Sequence, residues 1–212
     1  AEHAPHARVD GEMSLSLAVA AARWGRLPTV LITGTNGKST VTALTGALLE
    51  AGGRRPFVGG NLGTPLATAL LASLNDGAAP DSLVLECSSF QLETCHTGAD
   101  AHPTDVAMVL NLTADHLDRY PTMRDYADAK ARVFAGLGAG GLALLDGGDP
   151  WTDHFRGDVR AGALVLVDHP DGAVVDGPGP GDSLVLPGGE RYARAALPIA
   201  GRHNSKNAMF AL

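Results

Sequence analysis

Between the apolar run Thr29-Val30-Leu31-Ile32-Thr33 and the amphipathic stretch Lys38 to Glu50 stands Gly34-Thr35-Asn36-Gly37-Lys38-Ser39-Thr40. A five-residue apolar run reads as a buried strand, and Val41, Leu44, Leu48 and Leu49 give the following segment a helical stripe. A glycine-rich turn joining a strand to a helix is a phosphate loop in outline: backbone N–H groups turn inward, glycines allow close approach, a lysine supplies charge and a hydroxyl lies beside the metal. Gly34, Thr35, Asn36, Gly37, Lys38, Ser39 and Thr40 are therefore the candidate nucleotide-binding residues. Lys38 is assigned to the β and γ phosphates and Ser39 to magnesium, with Thr40 a weaker candidate for a similar contact. Gly34 stands three residues before Gly37, so the loop is shorter than the common pattern. A glycine-rich turn with an incidental lysine is the bland alternative, and the strand and helix flanks argue against it.

The rest of the chain repeats this alternation. A helix is expected from Ser14 to Trp24 with Ser14 as its cap, and another from about Pro65 to Leu74. Strands are expected at Ser82 to Glu86, Val106 to Leu110, Leu142 to Leu145 and Leu164 to Val167, and a helix at Asp125 to Leu137. Such an order predicts an α/β fold with a largely parallel sheet flanked by helices, whose ligands gather beyond the C-terminal strand ends. Residues 169 to 198, with Gly177-Pro178-Gly179-Pro180-Gly181, suggest a small hairpin or mixed-sheet edge. Residues 1 to 13 lack a period and read as a linker or the remnant of a preceding domain. Residues 14 to 212 read as one nucleotide-binding domain, truncated where a helical pattern starts near Asn207.

Composition narrows the partners. With 23 acidic residues against 16 Lys plus Arg, the formal net charge of -7 argues against a nucleic-acid partner while leaving room for a local phosphate pocket. The two cysteines, Cys87 and Cys95, form no Cys-x-x-Cys or zinc-ligand series. No apolar run approaches the length of a membrane span, and the opening residues are no signal sequence. A reducing compartment fits, and the cytoplasm is the expected location without membrane insertion.

Polar residues at strand ends carry the remaining signal. Glu86 closes an apolar strand and is a candidate magnesium ligand, since hard divalent cations take carboxylate oxygen. A solvated carboxylate is the bland reading. His116 lies in Asn111 to Tyr120 at the end of the next strand, outside any zinc-ligand spacing. Both a surface or packed histidine and a group of the ligand-facing edge remain open for it. On spacing alone, Lys130 is an ordinary solvated helix lysine.

These segments together resemble the Mur ligase family. Gly34 to Thr40 is similar to its ATP loop, and Gly60-Asn61-Leu62-Gly63-Thr64-Pro65 to its Gly-Asn-(Ile/Leu)-Gly segment. Glu86-Cys87-Ser88-Ser89-Phe90-Gln91-Leu92-Glu93 resembles the form found in the D-glutamate-adding branch. Asn111 to Tyr120 and Tyr126 to Lys130 resemble the next blocks, and Gly201-Arg202-His203-Asn204-Ser205-Lys206-Asn207 resembles the adenine-side block. The likeness covers roughly residues 10 to 212, the central ATPase domain, and not the flanking domains that hold the uridine nucleotide and the incoming amino acid.

The resemblance implies ATP and Mg2+ as cofactors, with magnesium ligated by Ser39, Glu86 and His116, and a carbamylated Lys130 that also serves the metal. It implies substrate contacts by Asn61 and His116, adenine contacts by Asn204 and Asn207, and catalytic roles for Lys38, His116 and Lys130. The implied partners are UDP-N-acetylmuramoyl-L-alanine and D-glutamate, joined through an acyl phosphate in peptidoglycan precursor synthesis, with the isolated 212 residues inactive. Another Mur-type carboxylate-amine ligase, such as a folyl-polyglutamate synthase, and a nucleotide-controlled binding module are the alternatives. Cys87 departs from the small or apolar residue common at its position and is expected to be a buried neutral thiol, while Ser205 and Lys206 fall at variable positions of the adenine-side block.

Overall fold

The computed structural model describes residues 10–74, 78–96, 101–160, 162–176, 182–197 and 199–212. Six strands, β1 (Thr29–Thr33), β2 (Pro56–Gly60), β3 (Ser82–Glu86), β4 (Thr104–Val109), β5 (Leu137–Asp146) and β6 (Ala163–Val167), form one sheet in the order β2-β3-β1-β4-β5-β6. Every neighbouring pair is parallel. β1 lies between β3 and β4, so the chain runs outward from it in both directions, and the loops that follow these three strands converge on one edge.

Two apolar cores explain why the strands read as continuous hydrophobic runs. Successive side chains of a strand point to opposite faces, and a parallel sheet is covered on both. Leu31, Leu83, Leu85, Val109 and Leu145 face one core, shared with Met13 and Leu17 of α1 (Glu12–Trp24), Leu70 of α3 (Leu66–Ser73), Leu92 of α4 (Ser89–Glu93) and Tyr126 of α5 (Met123–Ala131). Ile32, Val84, Met108 and Leu144 face the other, with Val41 of α2 (Lys38–Ala51) and Met209 and Phe210 of α7 (Arg202–Ala211). Each such side chain removed from water contributes roughly 1.5–3 kcal/mol before the cost of ordering it. The remaining helix, α6 (Thr152–Asp158), sends Phe155 into the first core. A separate antiparallel sheet joins β7 (Val174–Asp176), β8 (Ser183–Val185) and β9 (Arg191–Ala193). No helix among the described residues is long and apolar enough to cross a membrane.

Several boundaries differ from the sequence expectation. α1 begins at Glu12, with Gly11 at its cap position, and Ser14 donates its hydroxyl to the Thr94 carbonyl instead of capping. The expected linker lies outside the described residues as far as residue 9, while Met13 is buried. β2 was not anticipated, because Pro56 and two glycines weaken its strand signal. Proline is tolerated here because it opens an edge strand. α4 was also missed, although Ser88 and Gln91 form a capping box, and Thr122 with Asp125 forms another at the start of α5. The helix expected to run to Leu137 instead tightens into a 3-10 turn at Arg132–Phe134 and gives way to β5 at Leu137, five residues before the expected strand. Gly177 to Gly181 lie outside the described residues.

Candidate functional site

The glycine loop leaves β1 at Thr33 and enters α2 at Lys38. Gly37, at φ +87°, holds a left-handed conformation at the helix cap, and no side chain caps the helix there. The first-turn amides of α2 are thereby left to receive an anion, with the positive end of the helix dipole behind them. Lys38 Nζ donates to the Thr35 carbonyl at 3.1 Å, which curls the side chain over the loop.

A residue absent from the sequence assignments holds this loop in place. Asn111, just beyond β4, accepts the Asn36 backbone N–H on Oδ1 at 2.8 Å and donates its Nδ2 to the Asn36 carbonyl at 2.9 Å. The Thr35 N–H adds a bond to the Asn111 carbonyl at 3.0 Å, and the Thr113 N–H donates to Thr35 Oγ1 at 3.1 Å. A strand-end asparagine opposite a phosphate loop was the available signal.

Glu86 ends β3 almost wholly buried. Ser39 Oγ donates to its Oε2 at 2.8 Å and Asn61 Nδ2 donates to its Oε1 at 3.3 Å, so three sequence-selected residues meet at one carboxylate. Asn61 reaches it because Gly60, at φ +116°, turns the chain directly over Glu86. A Cβ on Gly60 would lie 2.3 Å from the Glu86 carbonyl oxygen.

Lys130 is not solvated. It is 2% exposed, and its ammonium donates to the Gly34 carbonyl at 2.9 Å and approaches Thr33 Oγ1 at 3.5 Å. It also sits 4.6 Å from the centroid of the Tyr126 ring. Burial, followed by the charge of Lys38, pulls its pKa down to about 7 against the opposing pull of Asp115. Lys130 departs from the solvated position expected from spacing because α5 presents this side chain inward, between the core and the base of the phosphate loop.

His116 packs against two aromatic rings. Its backbone is left-handed at φ +52°, its ring lies 5.0 Å from that of Phe90 and 5.9 Å from that of Tyr126, and its Nε2 is 3.5 Å from Asp115 Oδ2. Among the described residues, no hydrogen bond joins it to Glu86, Ser39 or Lys130, and no three or more His, Cys, Asp or Glu side chains group to hold a metal unaided. Magnesium in phosphate sites characteristically takes one or two protein ligands and completes its octahedron with water and phosphate oxygen. The hydroxyl of Ser39 and the carboxylate of Glu86 fit that requirement.

On the other flank of the loop, α7 starts at Arg202, five residues before the expected onset, so Asn204 and Asn207 lie on a formed helix about one turn apart. They line a cavity of about 540 Å³ together with Asn36, Gly37, Thr40 and Asn111. A Cβ on Gly37 would come within 2.7 Å of Asn207 Oδ1, so the absence of a side chain there lets the helix close on the loop. Lys206, between the two asparagines, engages the Asp146 carboxylate at 2.8 and 3.0 Å, a contact the sequence did not suggest.

A parallel sheet whose central strand feeds a glycine loop and then a helix N-terminus, with a buried acid on the adjacent strand end, defines a P-loop nucleoside-triphosphate-binding domain. Residues 32–212 match the Mur ligase middle domain, and the chain belongs to the Mur ligase family. Its curated relatives include UDP-N-acetylmuramoylalanine--D-glutamate ligase of Anaeromyxobacter dehalogenans, 47% identical over 203 residues that cover 91% of this chain and 42% of that protein. The protein of the same name from Nitrosospira multiformis is 41% identical over 212 residues, covering 96% of this chain and 43% of its own length. The chain thus spans less than half the length of these relatives. Among solved structures, a UDP-N-acetylmuramoyl-L-alanyl-D-glutamate--2,6-diaminopimelate ligase aligns with a TM-score of 0.70 at 21% identity, covering 94% of this chain and 46% of its own. MurF ligase from Thermotoga maritima in complex with ADP aligns with a TM-score of 0.66 at 19% identity, covering 96% and 48%. These two likenesses concern the fold.

Proposed function

We propose that the chain is the central ATP-binding domain of a ligase that joins D-glutamate to UDP-N-acetylmuramoyl-L-alanine in peptidoglycan precursor synthesis. The observation that carries this reading is the convergence of Ser39, Asn61 and Glu86 beside the phosphate loop, in a chain 36–47% identical to proteins bearing that ligase name. Residues 14–212 then form the nucleotide-binding domain of a larger, cytoplasmic protein, whose other domains hold the uridine nucleotide and the incoming amino acid.

In this reading the loop amides and Lys38 hold the β and γ phosphates, and Asn204 and Asn207 hold the adenine. Ser39, Glu86 and His116 would hold magnesium, which would offset the charge that gathers as a carboxylate nears a triphosphate. Asn61 and His116 orient the substrate carboxylate, which attacks the γ phosphorus to give an acyl phosphate and ADP. The amine of D-glutamate then attacks the acyl carbon, and phosphate leaves. The protein contributes chiefly fixed charge and position, interactions worth more in the transition state than in the separated reactants.

Lys130 is assigned a carbamate. A buried amine whose pKa is drawn down to about 7 is largely unprotonated at slightly alkaline pH, and its lone pair is free to attack carbon dioxide. The new C–N bond forms as one N–H proton passes to water, and the resulting carbamate would place an oxygen anion beside the loop, able to orient the metal's water shell.

The test is amide formation by the full-length protein from ATP, D-glutamate and UDP-N-acetylmuramoyl-L-alanine, with release of one phosphate per amide. Lys38→Ala is expected to abolish it. Turnover with a folate acceptor and none with the muramoyl nucleotide would overturn the assignment of substrate.

A further inference from the structure

We propose that Lys206 is a positioning residue of the nucleotide site, a role that rests on the ATP-binding reading above and adds an ionic anchor to it. Asp146 is the last residue of β5, and Asp168 follows the last residue of the adjacent strand β6. Their carboxylates therefore come to the same sheet edge, on the far side of β4 from the phosphate loop. The Lys206 ammonium sits between them, 2.8 and 3.0 Å from the two oxygens of Asp146 and 3.4 Å from Asp168 Oδ2.

Asp146 is a committed partner. It is 6% exposed, and Oδ1 also accepts the Gly148 N–H at 3.0 Å, so its charge is both sequestered and hydrogen-bonded. Arg202, one turn earlier on α7, reaches Asp168 at 3.7 Å, but its side chain is 78% exposed and solvent screens that contact. Among the described residues, Lys206 is thus the less exposed ionic tie between α7 and the ends of β5 and β6.

The consequence lies with its neighbours in sequence. Ala208, Met209 and Phe210 bury one side of α7 and set its distance from the sheet, and apolar packing, being non-directional, resists a small roll of the helix less sharply than an ionic contact does. A lysine held by two carboxylates on the strand ends restrains that roll. Asn204 and Asn207 lie within one turn of Lys206 and face the cavity, and Asn207 Oδ1 rests where a Cβ of Gly37 would be. Fixing Lys206 therefore fixes the adenine-side amides against the phosphate loop. Lys206, Asp146 and Asp168 border the same cavity, and the ammonium is turned onto the two carboxylates.

Removal of the charge at Lys206 alone strands a buried carboxylate and endangers folding. The test is therefore the charge-neutral pair Lys206→Met with Asp146→Asn in the full-length protein, beside Lys206→Arg. ADP binding is measured by direct titration, steady-state constants for each substrate separately, and folding by thermal melting. The pair is expected to fold, to bind ADP about tenfold more weakly and to raise KM for ATP by a similar factor, since small misplacements of binding groups cost about this much or more. Its kcat at saturating ATP and its KM for the carboxylate and amine substrates should stay within about threefold, and Lys206→Arg should retain ADP affinity within the same factor. A merely structural role would leave ADP affinity unchanged in the folded pair, and that result would overturn the proposal. Should the pair fail to fold, Lys206→Gln with Asp146→Asn, which keeps a hydrogen bond between the two side chains, decides by the same measurements. Absence of ADP binding by the unsubstituted protein would overturn the nucleotide site itself, and the role of Lys206 with it.

Discussion

Asn111 and Asn36 exchange two hydrogen bonds, so the end of β4 grips the phosphate loop through both its N–H and its C=O at a single residue. A loop that must present several amides to a triphosphate gains from being held before the ligand arrives, because the ordering cost is then met on folding and not on binding. Asn111→Ala frees both groups. It is expected to weaken ADP binding by the full-length protein about tenfold, the loss of roughly 1.4 kcal/mol, while leaving the melting temperature within a few degrees. An unchanged dissociation constant by titration would show that the loop holds its shape without the clamp.

Gly60 tests the geometry around Glu86. At φ +116°, with a Cβ destined to lie 2.3 Å from the Glu86 carbonyl oxygen and 2.9 Å from its nitrogen, Gly60→Ala must either strain or displace the end of β3. A loss of roughly 2–4 kcal/mol is expected. Gly53 has φ +80° but open space around it. Gly53→Ala should therefore cost only about 1 kcal/mol from backbone strain. Urea denaturation of the two variants side by side checks the order, and equal losses would refute the packing argument.

The two cysteines should differ in reactivity. Cys87 is fully buried, directly after Glu86, and burial pushes its thiol far up, while Cys95 is partly exposed and less strongly perturbed. Both sulfurs pack on the Met13 thioether, at 3.7 and 3.9 Å. A disulfide reagent at pH 8 is expected to modify Cys95 first, and Cys87 only at the rate of global opening. Labelling of Cys87 ahead of Cys95 would contradict its burial.

The sheet was legible because its period is simple. Runs such as Leu83-Val84-Leu85 alternate between two cores and so are apolar throughout. β2 was illegible because its identity depends on pairing: Pro56 and Gly60 are tolerated at an edge whose partner, β3, lies more than twenty residues away. Ser39 and Glu86 could be placed from strand and helix ends alone. Lys206 could not, since its meaning comes from Asp146, sixty residues earlier. Lys130 was ambiguous for a related reason. An amphipathic pattern locates a helix but does not reveal that a lysine on its buried side has a carbonyl waiting for it.

That buried lysine gives the last prediction, which concerns stability against pH. In the folded protein Lys130 titrates near 7 and in the unfolded chain near 10.5. Above the higher value both states are neutral at this group and it costs nothing. As pH falls from about 10.5 towards 7, the unfolded chain takes up a proton that the folded protein refuses, so folding loses stability through this window. Below about 7 both states are protonated and the loss is constant. Lys130→Met removes the titration while keeping an apolar stem in the core. In bicarbonate-free buffer, without nucleotide or magnesium, the stability of the variant relative to the unsubstituted protein should therefore grow by an amount on the order of a few kcal/mol between pH 10 and pH 7, and then level off. Taking the difference between the two proteins cancels the other titrating groups. Bicarbonate added at pH 8 should stabilise the unsubstituted protein and leave Lys130→Met unaffected, because only a free amine can take up carbon dioxide, and the resulting anion is attracted to Lys38 where the ammonium was repelled. A stability difference that stays flat from pH 10 to pH 7 would mean that Lys130 keeps an ordinary pKa in spite of its burial. The argument for a carbamate from amine chemistry would then fall with it.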